Sequence, residues 1–161
     1  MEPHERYIKA ITSIGGDLEN EYATYLTEAN EASFEAWLSE QPKIDGVTLY
    51  RGYRLEKSFF EDGDYSEGAI LSPLSLTEGF HPAFTDSELR AVRYMNEFGT
   101  SLDDYIKILF ELHVKGKYMV DVSEHSVYPC EAEHHCCADA KFKVVKTERK
   151  GGFSRVIIEE I

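Results

Sequence analysis

The chain has 161 residues, of which 42% are apolar, and 30 acidic against 17 basic residues give it a formal net charge of -13. This length and apolar content suffice for a buried core in one domain. The negative field repels phosphate backbones, which argues against a nucleic-acid partner. The sequence shows no apolar run that could cross a bilayer and no basic-then-apolar leader, so we expect a cytoplasmic protein.

The first forty residues are predicted to be helical. Apolar and aromatic residues recur at helical spacing in three runs, which cover residues 7–14, 18–26 and 34–38. The third helix should stop near Gln41, because Pro42 disfavours the helical conformation at the residue before it.

The first predicted strand covers residues 47–53, which are rich in β-branched and aromatic side chains. Gly52 within it would let another group approach the backbone closely. Arg51 is a cation in an apolar strand, so it must reach solvent, as on an edge strand, or meet an anion. A short strand through Ser75 and Thr77 is predicted next, with both hydroxyls on one face.

The clearest local signal for a helix starts at Thr85. Thr85 and Glu88 have the spacing of a capping box, and Phe84 and Leu89 occupy the flanking staple positions. The helix is predicted to run to about Glu97.

The C-terminal third is predicted to be mostly strands. Residues 106–114 alternate between apolar and polar, which indicates a strand with one buried face, and a further strand is predicted over 117–122. Residues 141–145 and 153–158 flank a Gly-Gly turn and are predicted to form a terminal hairpin. Because helices come first and strands follow with one helix among them, the fold class is expected to be α+β.

Two carboxylates stand close together in Glu131-Ala132-Glu133, after an aromatic turn residue, Tyr128. If a strand begins at Glu131, both side chains share a face, where like charges raise each other's cost of ionising. Such a pair belongs either in water, as the solvated edge of an acidic chain, or in a catalytic cleft.

The three cysteines do not suggest a disulfide framework, since their number is odd and Cys136 and Cys137 are adjacent. The run His134-His135-Cys136-Cys137 raises the question of a zinc site. Adjacent residues on a strand point to opposite faces, however, and the run lacks the spacing of known zinc ligands. We therefore expect reduced thiols and no metal.

Three of these features, in chain order, resemble the arginine, serine, glutamate arrangement of the mono-ADP-ribosyltransferases. They are the arginine in Leu49-Tyr50-Arg51-Gly52, the hydroxyl pair in Ser75-Leu76-Thr77 and the pair in Glu131-Ala132-Glu133. The two glutamates place the resemblance in the branch that usually modifies arginine. Its most specific part is the stretch 126–133, with Lys141-Phe142-Lys143-Val144-Val145 following.

The resemblance implies one catalytic domain over residues 1–161 with an α+β ADP-ribosyltransferase fold. N-terminal helices within 1–41 would pack on a mostly antiparallel, two-sheet β core within 47–161, around an NAD cleft. The implied activity transfers ADP-ribose from NAD, as substrate, to an arginine side chain of a protein acceptor, without a metal. A monomer with no membrane or nucleic-acid partner is expected. If the protein is phage-encoded or an injected bacterial effector, it would act in the cytoplasm of a host cell.

The resemblance also implies roles for the matched residues. Arg51 would bind the NAD phosphates through its forked donors, and the backbone of Gly52 would bond the nicotinamide amide. Ser75 would position the catalytic glutamate and the ribose, with Thr77 as the second hydroxyl of the motif. The usual middle threonine is Leu76 here, so its polar role is in question.

Glu133 would be the catalytic glutamate and Glu131 the transferase glutamate that prepares the acceptor, while Tyr128 would contact the protein target. Phe84 has two interpretations, as the aromatic residue that covers the nicotinamide or as the helix staple. After Glu133 the family usually continues with aliphatic residues and a Pro-Gly turn, whereas this chain has polar and thiol residues over 134–139.

Two alternatives remain open on the sequence. An NAD glycohydrolase would use water as the acceptor and would need Glu133 but have less use for Glu131 and Tyr128. A catalytically inactive binding module on the same scaffold would retain the fold without NAD turnover.

Overall fold

A computed structural model of the chain describes residues 1–13, 21–57, 64–77, 81–96 and 104–161. The α-helices within these residues are α1 (Pro3–Thr12), α2 (Glu28–Glu40) and α3 (Glu88–Asn96). The strands are β1 (Asp45–Glu56), β2 (Ile70–Leu71), β3 (Tyr105–Lys115), β4 (Val120–Asp121), β5 (His134–His135), β6 (Phe142–Lys150) and β7 (Phe153–Glu160). Short 3₁₀ turns lie at Ala23–Tyr25, Pro73–Leu76, Ser123–His125 and Pro129–Glu131.

The N-terminal helices α1 and α2 pack on each other and on the small sheet. The hydroxyl of Thr27 accepts a hydrogen bond from the Asn30 N–H at 3.1 Å and so caps α2, which ends at Glu40 as predicted. Their shared core joins the helices to β4 and the residue after it, and consists of Tyr7, Ile8, Phe34, Leu38, Val120 and Val122.

The helix predicted over residues 18–26 is wrong where the structure describes it. Residues 21–26 hold only the 3₁₀ turn Ala23–Tyr25, and residues 18–20 of the prediction lie outside the described residues.

In the described part of the chain, five strands form the larger sheet, in the order β1-β3-β7-β6-β2. Only β3 and β7 pair in parallel among these neighbours, so the prediction of a mostly antiparallel core is confirmed, as is the terminal hairpin of β6 and β7. The second sheet pairs β4 with β5. The strand predicted over 117–122 is shorter than expected, because only β4 forms within it.

The larger sheet buries side chains on both faces. One face carries the main core, to which β1, β3 and β7 contribute Leu49, Tyr53, Leu55, Ile108, Phe110, Leu112, Val156 and Ile158. Helix α3 packs on the other face through Ala91 and Met95, which contact Leu109. The sheet therefore separates α3 from the main core.

The strand predicted through Ser75 and Thr77 is wrong. Pro73 starts the 3₁₀ turn Pro73–Leu76, because its fixed φ suits the first position of a helical turn. The Ser75 hydroxyl accepts a hydrogen bond from the Ser72 N–H at 3.2 Å, which stabilises that turn.

The capping box predicted at Thr85 is also wrong. The Ser87 hydroxyl accepts a hydrogen bond from the Arg90 N–H at 3.2 Å, so Ser87 caps α3. Leu89 is 73% exposed, which excludes a staple contact with the buried Phe84. Helix α3 ends at Asn96, and the remaining position of the prediction, Glu97, lies outside the described residues.

The segment Phe84-Thr85 connects the two sheets. Thr85 exchanges two backbone hydrogen bonds with Tyr50 of β1, at 2.7 and 2.9 Å, and Phe84 exchanges two with His134 of β5, at 3.0 and 2.8 Å. The edge of the larger sheet is thereby joined to the edge of the smaller one. The junction brings β1 and the glutamates that precede β5 into one cleft.

Candidate active site

Arg51 points into the cleft from the face of β1 that carries the main core. Its Nε donates to the Leu76 carbonyl at 2.8 Å and its Nη1 to the Ala83 carbonyl at 3.3 Å. Its guanidinium carbon lies 5.4 Å from the ring centre of Tyr53. Burial lowers the pKa of Arg51 to about 10, although Tyr53 and Glu133 act in the opposite direction. The guanidinium is therefore positively charged at neutral pH and faces the cleft that contains Glu133.

A cavity of about 540 Å³ has Tyr53 in its wall, and the ring of Tyr53 contacts the Arg51 guanidinium. Its walls include Tyr53, Tyr65, Ser75 and Thr77. The Tyr65 hydroxyl donates to the Ser75 carbonyl at 2.9 Å. The structure thus places Ser75 and Thr77 on the arginine side of the cleft, in the wall of this cavity.

Gly52 allows α3 to lie directly against β1. A Cβ at Gly52 would fall 1.9 Å from the Ala91 carbonyl oxygen and 2.9 Å from the Met95 nitrogen. The close approach expected from the sequence is therefore made by a helix backbone. Because strand N–H groups alternate in direction, the Gly52 N–H points away from β3, as does the Tyr50 N–H that bonds Thr85.

The two glutamates do not share one strand, and the prediction that a strand begins at Glu131 is wrong. Glu131 ends the 3₁₀ turn Pro129–Glu131, and Ala132 adopts a left-handed conformation with φ 49° and ψ 49°. Such a conformation costs an alanine about 1–2 kcal/mol. Strained residues of this kind often lie at functional sites. Ala132 redirects the chain between the two carboxylates.

Glu133 is 9% exposed and lies beside a second buried residue, His135. Its Oε2 is 3.1 Å from His135 Nε2. The Glu133 carbonyl accepts a hydrogen bond from the Val122 N–H at 3.0 Å, which anchors its backbone to the smaller sheet. A buried carboxylate with Arg51 nearby is a group that can contact a ligand in the cleft.

Tyr94 of α3 contacts the other carboxylate. Burial, a hydrogen bond to the Glu131 side chain and the charge of Glu133 all raise the pKa of Tyr94. The phenol therefore stays protonated at neutral pH and lies near both carboxylates. The sequence indicated no role for Tyr94, because its position on a helix carries no motif.

Thr85 brings a second hydroxyl to the glutamate turn. Its Oγ1 donates to the Glu131 carbonyl at 3.0 Å, while its backbone pairs with β1. Sequence reasoning assigned Thr85 to a helix cap and missed this contact. The available signal was a second pair of hydroxyls separated by one residue, Thr85 and Ser87.

Phe84 is 1% exposed and packs in the main core. This burial favours a packing role for Phe84 over the role of an exposed aromatic residue that covers a ligand.

Tyr128 stands at the start of the turn before Glu131, where its N–H donates to the Ser126 hydroxyl at 3.0 Å. The Val127 N–H donates to the Thr12 hydroxyl at 3.1 Å, which ties this turn to α1.

The histidine and cysteine run does not converge on one point. His134 Nδ1 lies 2.7 Å from the Ala132 carbonyl, whereas His135 contacts Glu133. Burial raises the pKa of both Cys136 and Cys137, the latter to about 11 with help from a hydrogen bond to Asp139. The three cysteines are unpaired, as expected from their spacing.

A separate group of possible metal ligands lies between α1 and the 3₁₀ turn Ser123–His125, where atoms of His4, Glu5 and His125 come within 4.8 Å of one another. Other contacts account for this arrangement. Glu5 Oε2 accepts from the Glu2 N–H at 3.0 Å, Glu5 Oε1 lies 3.5 Å from His125 Nδ1, and His4 stacks on the indole of Trp37.

Comparison with known proteins identifies the fold. No protein-family profile and no curated protein sequence matches the chain. Among solved structures, the ADP-ribosyltransferase Vis from Vibrio splendidus, in complex with agmatine, is 21% identical with a TM-score of 0.63, covering 99% of this chain and 67% of Vis. The ADP-ribosyltransferase HopU1 of Pseudomonas syringae pv. tomato DC3000 is 19% identical with a TM-score of 0.63, covering 98% and 76%. C3stau2 from S. aureus with NAD is 13% identical with a TM-score of 0.60, covering 100% and 88%.

The chain therefore has the mono-ADP-ribosyltransferase fold, and the predicted α+β fold class is confirmed. It spans about two thirds of the length of Vis. Among the described residues, the structure has no helix long and apolar enough to cross a membrane.

Proposed function

We propose that this chain transfers ADP-ribose from NAD to an arginine side chain of a protein and releases nicotinamide. The observation that carries the proposal is that one cleft holds the Arg51 guanidinium, the buried Glu133 carboxylate and the Glu131 carboxylate. Solved structures with this fold support NAD as the substrate, since C3stau2 was solved with NAD.

Arg51 provides the positive charge for the NAD phosphates. Its guanidinium presently donates to two backbone carbonyls, which are neutral acceptors. Phosphate oxygens form stronger, charge-assisted bonds with a guanidinium, so a bound pyrophosphate would compete well for these donors. The cavity lined by Tyr53, Ser75 and Thr77 lies next to this position and would accept the remainder of the dinucleotide.

Glu133 would act on the ribose. The bond from ribose C1′ to the nicotinamide nitrogen breaks, nicotinamide leaves with the electron pair, and C1′ acquires oxocarbenium character. A carboxylate bonded to the 2′-hydroxyl stabilises this charge more in the transition state than in the ground state, which is the requirement for catalysis. The burial of Glu133 strengthens this interaction because the local dielectric is low.

Glu131 would serve the acceptor. A guanidinium is protonated in water and is a poor nucleophile, so a second carboxylate must orient it and accept a proton as its nitrogen bonds to C1′. Tyr94 and Thr85 hold Glu131 through its carboxylate and its carbonyl. The complex of Vis with agmatine, a guanidine, supports an acceptor of this chemical class. Tyr128, in the turn before Glu131, remains our candidate for contact with the target protein.

Thr85, rather than Ser75, would fill the place of the motif hydroxyl next to the glutamates. Its backbone pairs with the arginine-bearing strand and its side chain bonds the glutamate turn. Ser75 would contribute to NAD binding from the cavity wall beside Arg51.

The test is incubation with NAD and agmatine, followed by mass spectrometry of ADP-ribosyl-agmatine and measurement of released nicotinamide. Glu133→Gln should lower both products by about 100-fold or more, as expected for loss of an essential charged group. Glu131→Gln should lower transfer by about 10-fold or more and spare most nicotinamide release.

Glu40→Gln is the matched control, because it neutralises an exposed carboxylate at the end of α2. It should behave as the wild type. Transfer that survives Glu133→Gln would refute the assignment, and nicotinamide release without any labelled acceptor would identify an NAD glycohydrolase. Absence of NAD binding by the folded protein would favour the inactive binding module.

A further inference from the structure

His135 lies directly behind the Glu133 carboxylate. His135 Nε2 is 3.1 Å from Glu133 Oε2, and the two side chains are only 2% and 11% exposed. The residues are two apart in extended chain, so their side chains point to the same side. An ionised carboxylate can only accept hydrogen bonds, and therefore the shared hydrogen belongs to His135 Nε2.

The ring of His135 is packed against the N-terminal helices. It makes edge contacts with Phe34 of α2, at 6.2 Å between ring centres, and with His81, at 6.3 Å. His81 Nε2 in turn lies 3.1 Å from the Tyr7 hydroxyl of α1, and Tyr7, Phe34 and His81 contact one another. Tight packing of this kind restricts the ring to one orientation.

The tautomer of His135 follows from its second nitrogen. Nδ1 is buried and has no hydrogen-bond partner among the residues that the structure describes. A hydrogen there would be an unsatisfied buried donor, which is costly, whereas a ring with hydrogen only on Nε2 avoids it. Burial, followed by the effect of His135, lowers the pKa of His81 to about 4, so His81 adds no charge at neutral pH.

The contact matters because the Glu133 carboxylate interacts with the Arg51 guanidinium in the cleft. The Thr85 hydroxyl donates to the Glu131 carbonyl. Among the residues that the structure describes, His135 is the side chain with a hydrogen-bond contact to the Glu133 carboxylate, at 3.1 Å. It occupies the part of the sequence where the resemblance to the ADP-ribosyltransferases is weakest, since aliphatic residues are usual after the catalytic glutamate.

We propose that His135 is a positioning residue: its Nε2–H binds Glu133 Oε2 and fixes the carboxylate in the cleft, leaving Oε1 to contact the ribose 2′-hydroxyl. The proposal rests on the proposed function for its effect on NAD cleavage. The same contact links the rate of NAD cleavage to α1 and α2, because residues of these helices pack around the His135 ring.

The first experiment compares two variants that separate the hydrogen bond from the ring. His135→Phe keeps an aromatic ring without the N–H, and His135→Gln keeps an N–H donor without the ring. In His135→Phe the kcat of nicotinamide release should fall by about 10- to 100-fold, the range for a lost hydrogen bond to a charged group. The KM for NAD should stay within about threefold, because the lost interaction acts mainly in the transition state.

His135→Gln should recover most of the lost kcat. His113→Phe is the matched control, since His113 Nε2 lies 2.8 Å from Glu111 Oε2 in the same two-apart arrangement, with a side chain that is 50% exposed. It should leave kcat unchanged. A folded His135→Phe protein with wild-type kcat would overturn the proposal, and so would a His135→Gln protein impaired as strongly as His135→Phe.

The second experiment requires neither NAD turnover nor a stable His135 variant. Nitrogen NMR of histidine-labelled wild-type protein should show hydrogen on Nε2 of His135, and Glu133→Gln should shift that resonance but not the one from His113. An unshifted His135 resonance, or hydrogen on Nδ1, would refute the contact even if the protein cleaves NAD. A shifted resonance in a folded protein that never cleaves NAD would refute the proposed function while leaving the contact in place.

Discussion

Gly52→Ala is expected to displace α3 from the sheet. The new Cβ would lie 1.9 Å from the Ala91 carbonyl oxygen and 2.9 Å from the Met95 nitrogen. The first of these distances falls about 1.5 Å short of ordinary van der Waals contact, and both obstacles are backbone atoms that cannot rotate away. Since β1 is fixed by its pairing with β3, the helix must move.

The expected loss of stability is about 3 kcal/mol, at the upper end of the usual range for overpacking, because a whole helix has to shift. For a domain of this size that corresponds to a fall in Tm of about 6–12 °C. Movement of α3 also carries Tyr94 away from Glu131. Transfer to agmatine should therefore fall more than nicotinamide release does.

Thermal and urea unfolding of Gly52→Ala, followed by circular dichroism, would measure the effect against Gly152→Ala. A Cβ at Gly152 would meet nothing within 4 Å, so this control should change stability by less than about 0.5 kcal/mol. Equal unfolding midpoints for the two variants would show that α3 does not lie against Gly52, and the reasoning would fail.

Further predictions concern the glutamate turn and one structural carboxylate. Tyr94→Phe removes the hydrogen bond to Glu131 and should lower the kcat of transfer by about 3- to 10-fold with little change in nicotinamide release. Thr85→Val should have a similar selective effect on transfer, and Thr85→Ser should restore it, because the serine hydroxyl can again reach the Glu131 carbonyl. Ala132→Gly should raise the free energy of unfolding by about 0.5–1 kcal/mol in urea titrations, since glycine adopts the left-handed conformation without strain; a loss of stability would contradict this. Glu160→Gln should destabilise the protein by about 2–3 kcal/mol, because the buried carboxylate accepts three backbone N–H groups of residues 115–118 and an amide nitrogen cannot; unchanged thermal unfolding would refute that role.

Much of the candidate site could be named from the sequence because its residues lie in short, recognisable stretches. Arg51 stands out as a cation in an apolar strand, and the pair Glu131 and Glu133 stands out by spacing. The structure brings Arg51 and Glu133 into one cleft. What could not be predicted was the hydroxyl next to the glutamates, since Ser75 and Thr85 have equally plausible local patterns.

Long-range pairing decided between those hydroxyls. Thr85 reaches the glutamate turn because its backbone pairs with Tyr50 on one side while Phe84 pairs with His134 on the other. These contacts join residues far apart in sequence, and periodicity reports only what each segment prefers locally. The same limit hid Tyr94 and His135, whose importance comes entirely from the carboxylates they touch.

The sequence by itself determined the fold class, the main strands and the terminal hairpin. This was possible because the alternation of apolar and polar residues along a strand indicates which of its side chains are buried. Tertiary structure alone decided how the two glutamates are arranged. The expected strand would have placed both carboxylates side by side. Ala132 instead adopts a left-handed conformation, which separates the two glutamates. Glu131 lies in the turn and is bound by Tyr94 and Thr85, whereas Glu133 is buried. The contacts on both sides of Ala132 outweigh its local conformational preference, and a sequence pattern cannot reveal such contacts.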